Sequence, residues 1–369
     1  MKLNRIMIMA GLGLIVTLLS ACGDKQSQAQ NSSAKEQQTF EWKLVTTWPK
    51  NFPGLGHAPE EFAQKVRKMS NGRLKIKVYG AGELVPALEV FDAVSQGTAE
   101  MGHAAAYYWK GKMPAAQIFG AIPFGMNAQE VNGWLRYGGG LKLWRDLYKP
   151  FGVIPFPGGN TGVQMAGWFK KPITSLEDFQ GVKMRIPGLG GEVLKKVGGI
   201  PVSLSGGEIF TSLQSGAIDA TEWVGPYNDL AFGLYKAADY YYYSGWHEPG
   251  SVLEFEVNQK AYESLPADLQ EIVATAAQAV NADMLDEYTA RNNMAMQTLI
   301  DKHQVNLLPL PADVIVALKN ATVEVMKEQS EADPQFDNIY RAYVAFQKGV
   351  SAYHHISEVT YYRNRDDVH

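Results

Sequence analysis

The chain has 369 residues, a net charge of −4 from 34 Lys and Arg against 38 Asp and Glu, and a single cysteine. That balance, without any basic cluster, excludes nucleic acid as a partner, and one cysteine excludes both an internal disulfide and dithiol redox chemistry. The length exceeds the roughly 250–300 residues at which single cores stop growing, which predicts two lobes.

The chain opens on a short basic segment, Met1 to Arg5, followed by an apolar run from Ile6 to Leu19 that is too short to span a bilayer comfortably. Leu19-Ser20-Ala21-Cys22 then places small residues before the cysteine. This spacing predicts an exported bacterial lipoprotein signal over 1–22, with Cys22 carrying lipid. Residues 23–39 are polar with almost nothing to bury, and are expected to be a flexible tether. No second long apolar run follows, so the mature protein is expected to be soluble apart from its anchor.

From Phe40 strand and helix patterns alternate. Trp42 to Thr47 is strand-like, and His57 to Ser70 has helical spacing at Phe62, Val66 and Met69. After the Asn71-Gly72 turn, Leu74 to Tyr79 alternates apolar residues with lysines. Leu88 to Ser95 is again helical and Ala99 to Ala104 strand-like. Repeated βα units of this kind predict a mostly parallel sheet covered by helices.

The stretch from Gly158 to Pro187 is unusual. Its two strand-like runs, Val163 to Phe169 and Val182 to Ile186, carry Gln164 and Arg185 among residues that favour burial. Arg185, closed off by Pro187 and Gly-Leu-Gly-Gly, stands where a strand gives way to a helix, the place where open α/β sheets bind ligands. A planar guanidinium there suits bidentate capture of a carboxylate; a solvent-facing strand-edge arginine is the alternative.

An internal echo supports two related lobes. Glu89-Val-Phe-Asp-Ala-Val-Ser-Gln-Gly97-Thr-Ala-Glu100 matches Glu208-Ile-Phe-Thr-Ser-Leu-Gln-Ser-Gly216-Ala-Ile-Asp219 in pattern, each a helix ended by glycine with a strand after it. The polar residues beyond, Tyr107 with Tyr108 and Glu222 with Trp223, are then expected to face each other across one cleft.

Pro266 to Gln304 reads as one long helix with Leu269, Ile272, Val273, Ala276, Val280 and Leu285 on a stripe. Phe336 to Val359 is a further helical pattern with no place in either lobe, which predicts a partner chain or a fold-back. Tyr240 to Tyr243 reads as a half-buried strand, Tyr137-Gly-Gly-Gly140 as a turn, and His354-His355 as solvated; Trp168 and Trp246 are candidates to close over a ligand.

From about Phe40 to Gly349 the chain resembles the extracytoplasmic receptors of tripartite ATP-independent periplasmic (TRAP) transporters. The marks are Lys183-Met-Arg185-Ile-Pro187, the Glu208 to Asp219 run and Glu222-Trp223. Within that family, Gly159 to Gln164, Glu222 to Pro226 and Gly245-Trp246-His247-Glu248 resemble the subgroup that binds 2-oxo and 2-hydroxy monocarboxylates with a cation.

The resemblance implies an α/β, two-lobed periplasmic-binding-protein fold with the ligand cleft between the lobes, a long strut helix and an extra C-terminal helix. Lobe I is expected from 40–158, about 226–250 and 260–335 with the strut helices, lobe II from 159–225 and about 251–259, and a dimerising helix from 336–369. It implies that Arg185 binds the acid's carboxylate, with Asn160, Gln164, Tyr107, Tyr108 and Trp223 around it. Gln164, Glu222, the Trp223 carbonyl and Glu248 would hold Na⁺ or Ca²⁺, since all are oxygen donors. The expected function is capture of a pyruvate- or lactate-like acid for TRAP membrane subunits, by a lipid-anchored homodimer. A receptor for a larger aromatic or sugar acid is the near alternative. A hydrolase using Glu222 or Glu248 is a distant one, since no nucleophile is evident and nothing in the sequence aims His247 at the cleft.

Overall fold

A computed structural model describes residues 38–366 of the chain. The signal segment, Cys22 and nearly all of the tether lie outside the described residues. No helix among those described is long and apolar enough to cross a membrane.

The chain first lays down β1 (Phe40–Thr46), β2 (Leu74–Tyr79), β3 (Met101–Ala104) and β4 (Val153–Asn160). It then crosses to β5 (Gly167–Phe169), β6 (Lys183–Arg185), β7 (Ile200–Val202), β8 (Ala220–Thr221) and β9 (Tyr240–Tyr243), returns for β10 (Val252–Asn258), and adds β11 (Asn306–Pro309) last. Two sheets result, in the orders β2-β1-β3-β10-β4 and β11-β9-β5-β8-β6-β7. Strands β1, β2 and β3 are parallel, and β10 runs antiparallel between β3 and β4.

The lobe boundaries expected from the sequence are corrected at two places. Residues 226–250 were expected with the first lobe, yet β9 pairs with β5 and β11 in the second sheet. Residues 251–259 were expected with the second lobe, yet β10 lies inside the first sheet. The reason is burial: Val252 to Val257 is covered on both faces, and such a strand needs neighbours on both sides. A single sequence marks it as a strand without naming its partners.

The internal echo is real in the fold. Helices Val90–Ser95 and Gly206–Ser215 each run into a left-handed glycine, Gly97 at φ 76° and Gly216 at φ 80°, and then into β3 and β8. Glycine takes that conformation without the steric penalty of a side chain, and so ends the helix sharply.

The strut helix spans Ala267–Asp301 and packs on β4, on helix His57–Met69 and on helix Pro226–Phe232. Its buried stripe runs Leu269, Val273, Ala276, Val280, then Met284 and Tyr288. Leu285 is only half-buried, because a straight helix drifts from the spacing that carried the stripe up to Val280.

Helix Pro334–His354 folds back on its own chain, against helices Ala128–Tyr137 and Gly140–Tyr148. Phe336, Ile339 and Tyr343 are buried there, so the fold-back covers the first part of this helix's apolar stripe, while Tyr353 near its end is exposed. His354, expected to be solvated, is buried with Nδ1 2.8 Å from the Glu130 carboxylate, while His355 is exposed. Beyond the helix the chain presents Ile356, Tyr361 and Tyr362 to solvent, with Ile356 76% exposed.

Candidate functional site

The site forms where the C-terminal ends of β6 and β8 meet residues following β3. Parallel pairing sets Arg185 opposite Thr221, and the Glu222 amide donates to the Arg185 carbonyl at 3.2 Å. Arg185 therefore ends its strand beside Glu222. It is 1% exposed, and its Nη1 donates to Glu222 Oε1. Nη2 donates to the Tyr108 hydroxyl at 3.0 Å and Nε to the Leu204 carbonyl at 3.3 Å. Tyr108 comes from the first lobe, so one guanidinium joins both. The Trp223 ring lies under it, 5.0 Å from centroid to Cζ.

The remaining residues come from the two segments that link the sheets. In the first, Gln164 Nε2 donates to Thr161 Oγ1 at 3.1 Å and to Glu248 Oε2 at 2.8 Å, leaving its buried Oε1 without a protein partner. In the second, Glu248 also accepts from the Ser251 hydroxyl. The Gln164 amide donates to the Glu248 carbonyl, and the Gly245 amide to the Gln164 carbonyl, so the two segments run as a pair. Met165 donates to the Val224 carbonyl and ties them to the loop after β8.

Electrostatics follow from burial. Glu248 is pushed up to about 7, first by burial and then by Glu222, against the pull of His247, Ser251 and Arg185. Burial works against the charge on Arg185, but Glu222 and the tyrosines more than offset it and hold its pKa above the ordinary value. Burial also raises Tyr107 and Tyr108, which stay protonated donors. Donor atoms of Glu222, His247 and Glu248 all lie within 4.8 Å of one another. Two carboxylates this close in a buried site repel each other when both are charged, and the side-chain hydrogen bond of Arg185 goes to Glu222.

Residues 44–333 match the family described as bacterial extracellular solute-binding protein, family 7 (DctP). The chain belongs to that family. It is a TRAP-type solute-binding receptor, as the sequence marks imply. A curated relative, a monocarboxylate 2-oxoacid-binding periplasmic protein of Nostoc sp., is 42% identical over 98% of each chain. A TRAP periplasmic solute-binding protein of Pseudoalteromonas atlantica, solved with bound sodium and pyruvate, is 42% identical with a TM-score of 0.86, covering 88% of this chain and 99% of that one. A TRAP transporter solute-binding protein of Bordetella bronchiseptica, a mixed-occupancy dimer with copurified calcium and picolinate, is 36% identical with a TM-score of 0.88, covering 90% and 98%.

In this family 7 receptor, Arg185, Gln164, Glu222, Trp223, Glu248 and Tyr108 converge as one cluster. Tyr107 packs edge-on against Tyr108 at 4.8 Å and touches the second lobe at Gly188. Gly188 has φ 62°, the left-handed region that favours glycine, and a Cβ there would stand 3.0 Å from the Tyr107 side chain. Asn160 is fully buried, but its Oδ1 is taken by the Gly162 amide at 2.9 Å and its Nδ2 makes only a long 3.5 Å contact to the Gly250 carbonyl.

Two sequence readings are corrected. His247 does point at the site, with Nε2 3.4 Å from Glu222 Oε2, although nothing in its spacing indicated that. Trp168 is not near the opening: it stacks on Tyr241 at 4.0 Å and donates to Asp229, inside the second lobe's core. Trp48 and Ser251 were missed. Their signal, an aromatic or hydroxyl just beyond a strand end, is too common in sequence to single out.

Proposed function

We propose that this receptor captures a small 2-oxo or 2-hydroxy monocarboxylate together with Na⁺ or Ca²⁺, and delivers it to the membrane subunits of a TRAP transporter. The observation that carries this reading is the buried Arg185 between Tyr108 of one lobe and Glu222 of the other. A carboxylate entering there meets a planar fork of donors beside the Tyr108 hydroxyl, with Tyr107 and Asn160 proposed to add hydrogen bonds. Contacts to both lobes favour the closed state, and that difference in affinity drives closure.

The residues present suit a hard cation. Gln164 Oε1, Glu222, the Trp223 carbonyl and Glu248 are the oxygen donors proposed to hold it, while His247 steadies Glu222 from behind. Bound there, the ion offsets the two carboxylates and offers positive charge to the acid's carboxylate and 2-oxygen. Pyruvate and picolinate, the acids named for the two neighbours, both place a lone pair on the atom next to the carboxylate-bearing carbon, which a cation can chelate.

Thermal unfolding of the chelator-stripped protein tests the joint site. Pyruvate and cation together at about a hundred times Kd are expected to stabilise by about 2.7 kcal/mol, several degrees in Tm, and either alone by far less. Glu248→Gln is expected to abolish the cation's share. Stabilisation by the acid without any metal would remove Glu222 and Glu248 as ligands. Preference for picolinate over pyruvate would favour the larger-acid reading. The hydrolase reading draws on His247 beside Glu222; release of product from esters or amides of these acids, lost in His247→Ala, is the result it requires.

We also propose a homodimer formed through the exposed apolar side chains of 355–366, consistent with the dimeric Bordetella relative. Deleting 355–369 is expected to halve the mass in light scattering while the circular dichroism of the folded monomer is retained, and an unchanged mass would place the dimer contact elsewhere. Lipid at Cys22 remains part of the proposal, tested by metabolic labelling of wild type against Cys22→Ser.

A further inference from the structure

We propose that Trp48, positioned by His103, sets the limit on the length of the acid's carbon chain. The proposal rests on the acid-receptor reading above.

Trp48 follows β1 and is 2% exposed. Its Nε1 donates to His103 Nδ1 at 2.8 Å, and His103 Nε2 lies 3.0 Å from the Gly158 carbonyl. With Nδ1 accepting, the imidazole proton sits on Nε2 and is donated to that carbonyl. Burial lowers His103 to about 4, so the ring stays neutral and this tautomer persists at any physiological pH. His103 is itself packed against Phe255 at 4.6 Å. The indole is thus fixed to the first lobe through a buried, fully specified contact.

Its other neighbours belong to the binding machinery. Trp48 meets Trp223 edge-on at 6.0 Å and Tyr108 at 6.1 Å. Trp223 lies against the Arg185 guanidinium and Tyr108 accepts a hydrogen bond from it. Trp223 and Tyr108 both touch the arginine, and Trp48 packs against both of them. Its indole donor is spent on His103, so it offers an entering acid only apolar surface. The acid's carboxylate and 2-oxygen are accounted for by Arg185 and the cation donors. What remains to discriminate is the alkyl end, and Trp48 offers a rigid apolar face beside Tyr108 and Trp223 to do it. The contact with Trp223 joins the lobes, so a longer chain must either move a hydrogen-bonded indole or hold the cleft open.

Calorimetric titration of the exported protein with pyruvate, 2-oxobutyrate, 2-oxopentanoate and 2-oxo-4-methylpentanoate, at saturating Ca²⁺ and again at saturating Na⁺, tests this. The wild type is expected to weaken with each carbon added. Trp48→Ala is expected to shift the 2-oxopentanoate to pyruvate affinity ratio by about ten-fold or more, the low end of what one methylene is worth in an apolar pocket. Trp48→Phe, a smaller change that keeps a ring, is expected to shift it in the same direction, and serves if the alanine variant does not fold. His103→Phe removes the acceptor and is expected to relax the ratio while leaving pyruvate affinity within about three-fold. An unchanged ratio in both Trp48 variants, parallel loss of all acids, or a wild type that binds 2-oxopentanoate as well as pyruvate would overturn the role of Trp48. A wild type that binds none of the four acids overturns the acid-receptor reading itself.

Discussion

Arg185→Met is expected to abolish acid binding and to cost about 3–5 kcal/mol of folding stability, the usual effect of removing one partner from a buried ion pair. The substitution leaves the Glu222 carboxyl 1% exposed and without its guanidinium, and takes a donor from Tyr108. Urea unfolding and calorimetric titration separate the two effects. Combining it with Glu222→Gln is expected to recover most of the stability, since the orphaned charge is gone, and none of the binding. Acid affinity within a few-fold of wild type in the single variant would remove the carboxylate role from Arg185.

The second large effect lies outside the site. Glu254 and Glu256 stand two apart on β10, so both side chains enter the same face of the first lobe's core, and both are fully buried. Trp109 Nε1 and the Tyr148 hydroxyl donate to Glu254 at 2.7 and 3.2 Å, and Asp92 adds negative charge near Glu256. Burial raises Glu254 to about 7 and, with Glu254 beside it, pushes Glu256 well above its ordinary value. A carboxyl whose folded pKa is raised contributes fully below its unfolded value near 4.5, and that contribution is lost as pH rises through the folded pKa. Unfolding free energy is therefore expected to fall between about pH 5 and 8, by about 3 kcal/mol from Glu254 alone. Glu254→Gln is expected to flatten the profile and melt above wild type at pH 8. Identical pH profiles for the two proteins would place the dependence on Asp229, also raised to about 7 by burial, or on Glu248.

Much of this was legible in the sequence because the signals were local. A left-handed glycine after a helix, an arginine before a strand-ending proline, and lysines alternating with Leu74, Ile76 and Val78 each state their own conformation. The exchange of β9 and β10 between the lobes was not legible, because pairing partners lie far apart in the chain and both strands satisfy the same composition. His247 was set aside for a similar reason. Its aim depends on how the 243–252 segment runs alongside 160–167, which no spacing within either segment encodes. Glu254 and Glu256 gave a different difficulty: Val-Leu-Glu-Phe-Glu-Val alternates like a half-exposed strand, and only the structure covers the carboxyl face.

The position of β10 bears on how the protein is made. The first sheet has β10 between β3 and β4, so it lacks an interior strand until residue 258 has been synthesised, although its other four strands end by residue 160. The first lobe thus cannot close as an early, independent unit, and long-range strand pairing of this kind is intrinsically slow. The same delay leaves the edges of β3 and β4 that β10 will cover unpaired in the interval, and unpaired strand edges are templates for aggregation.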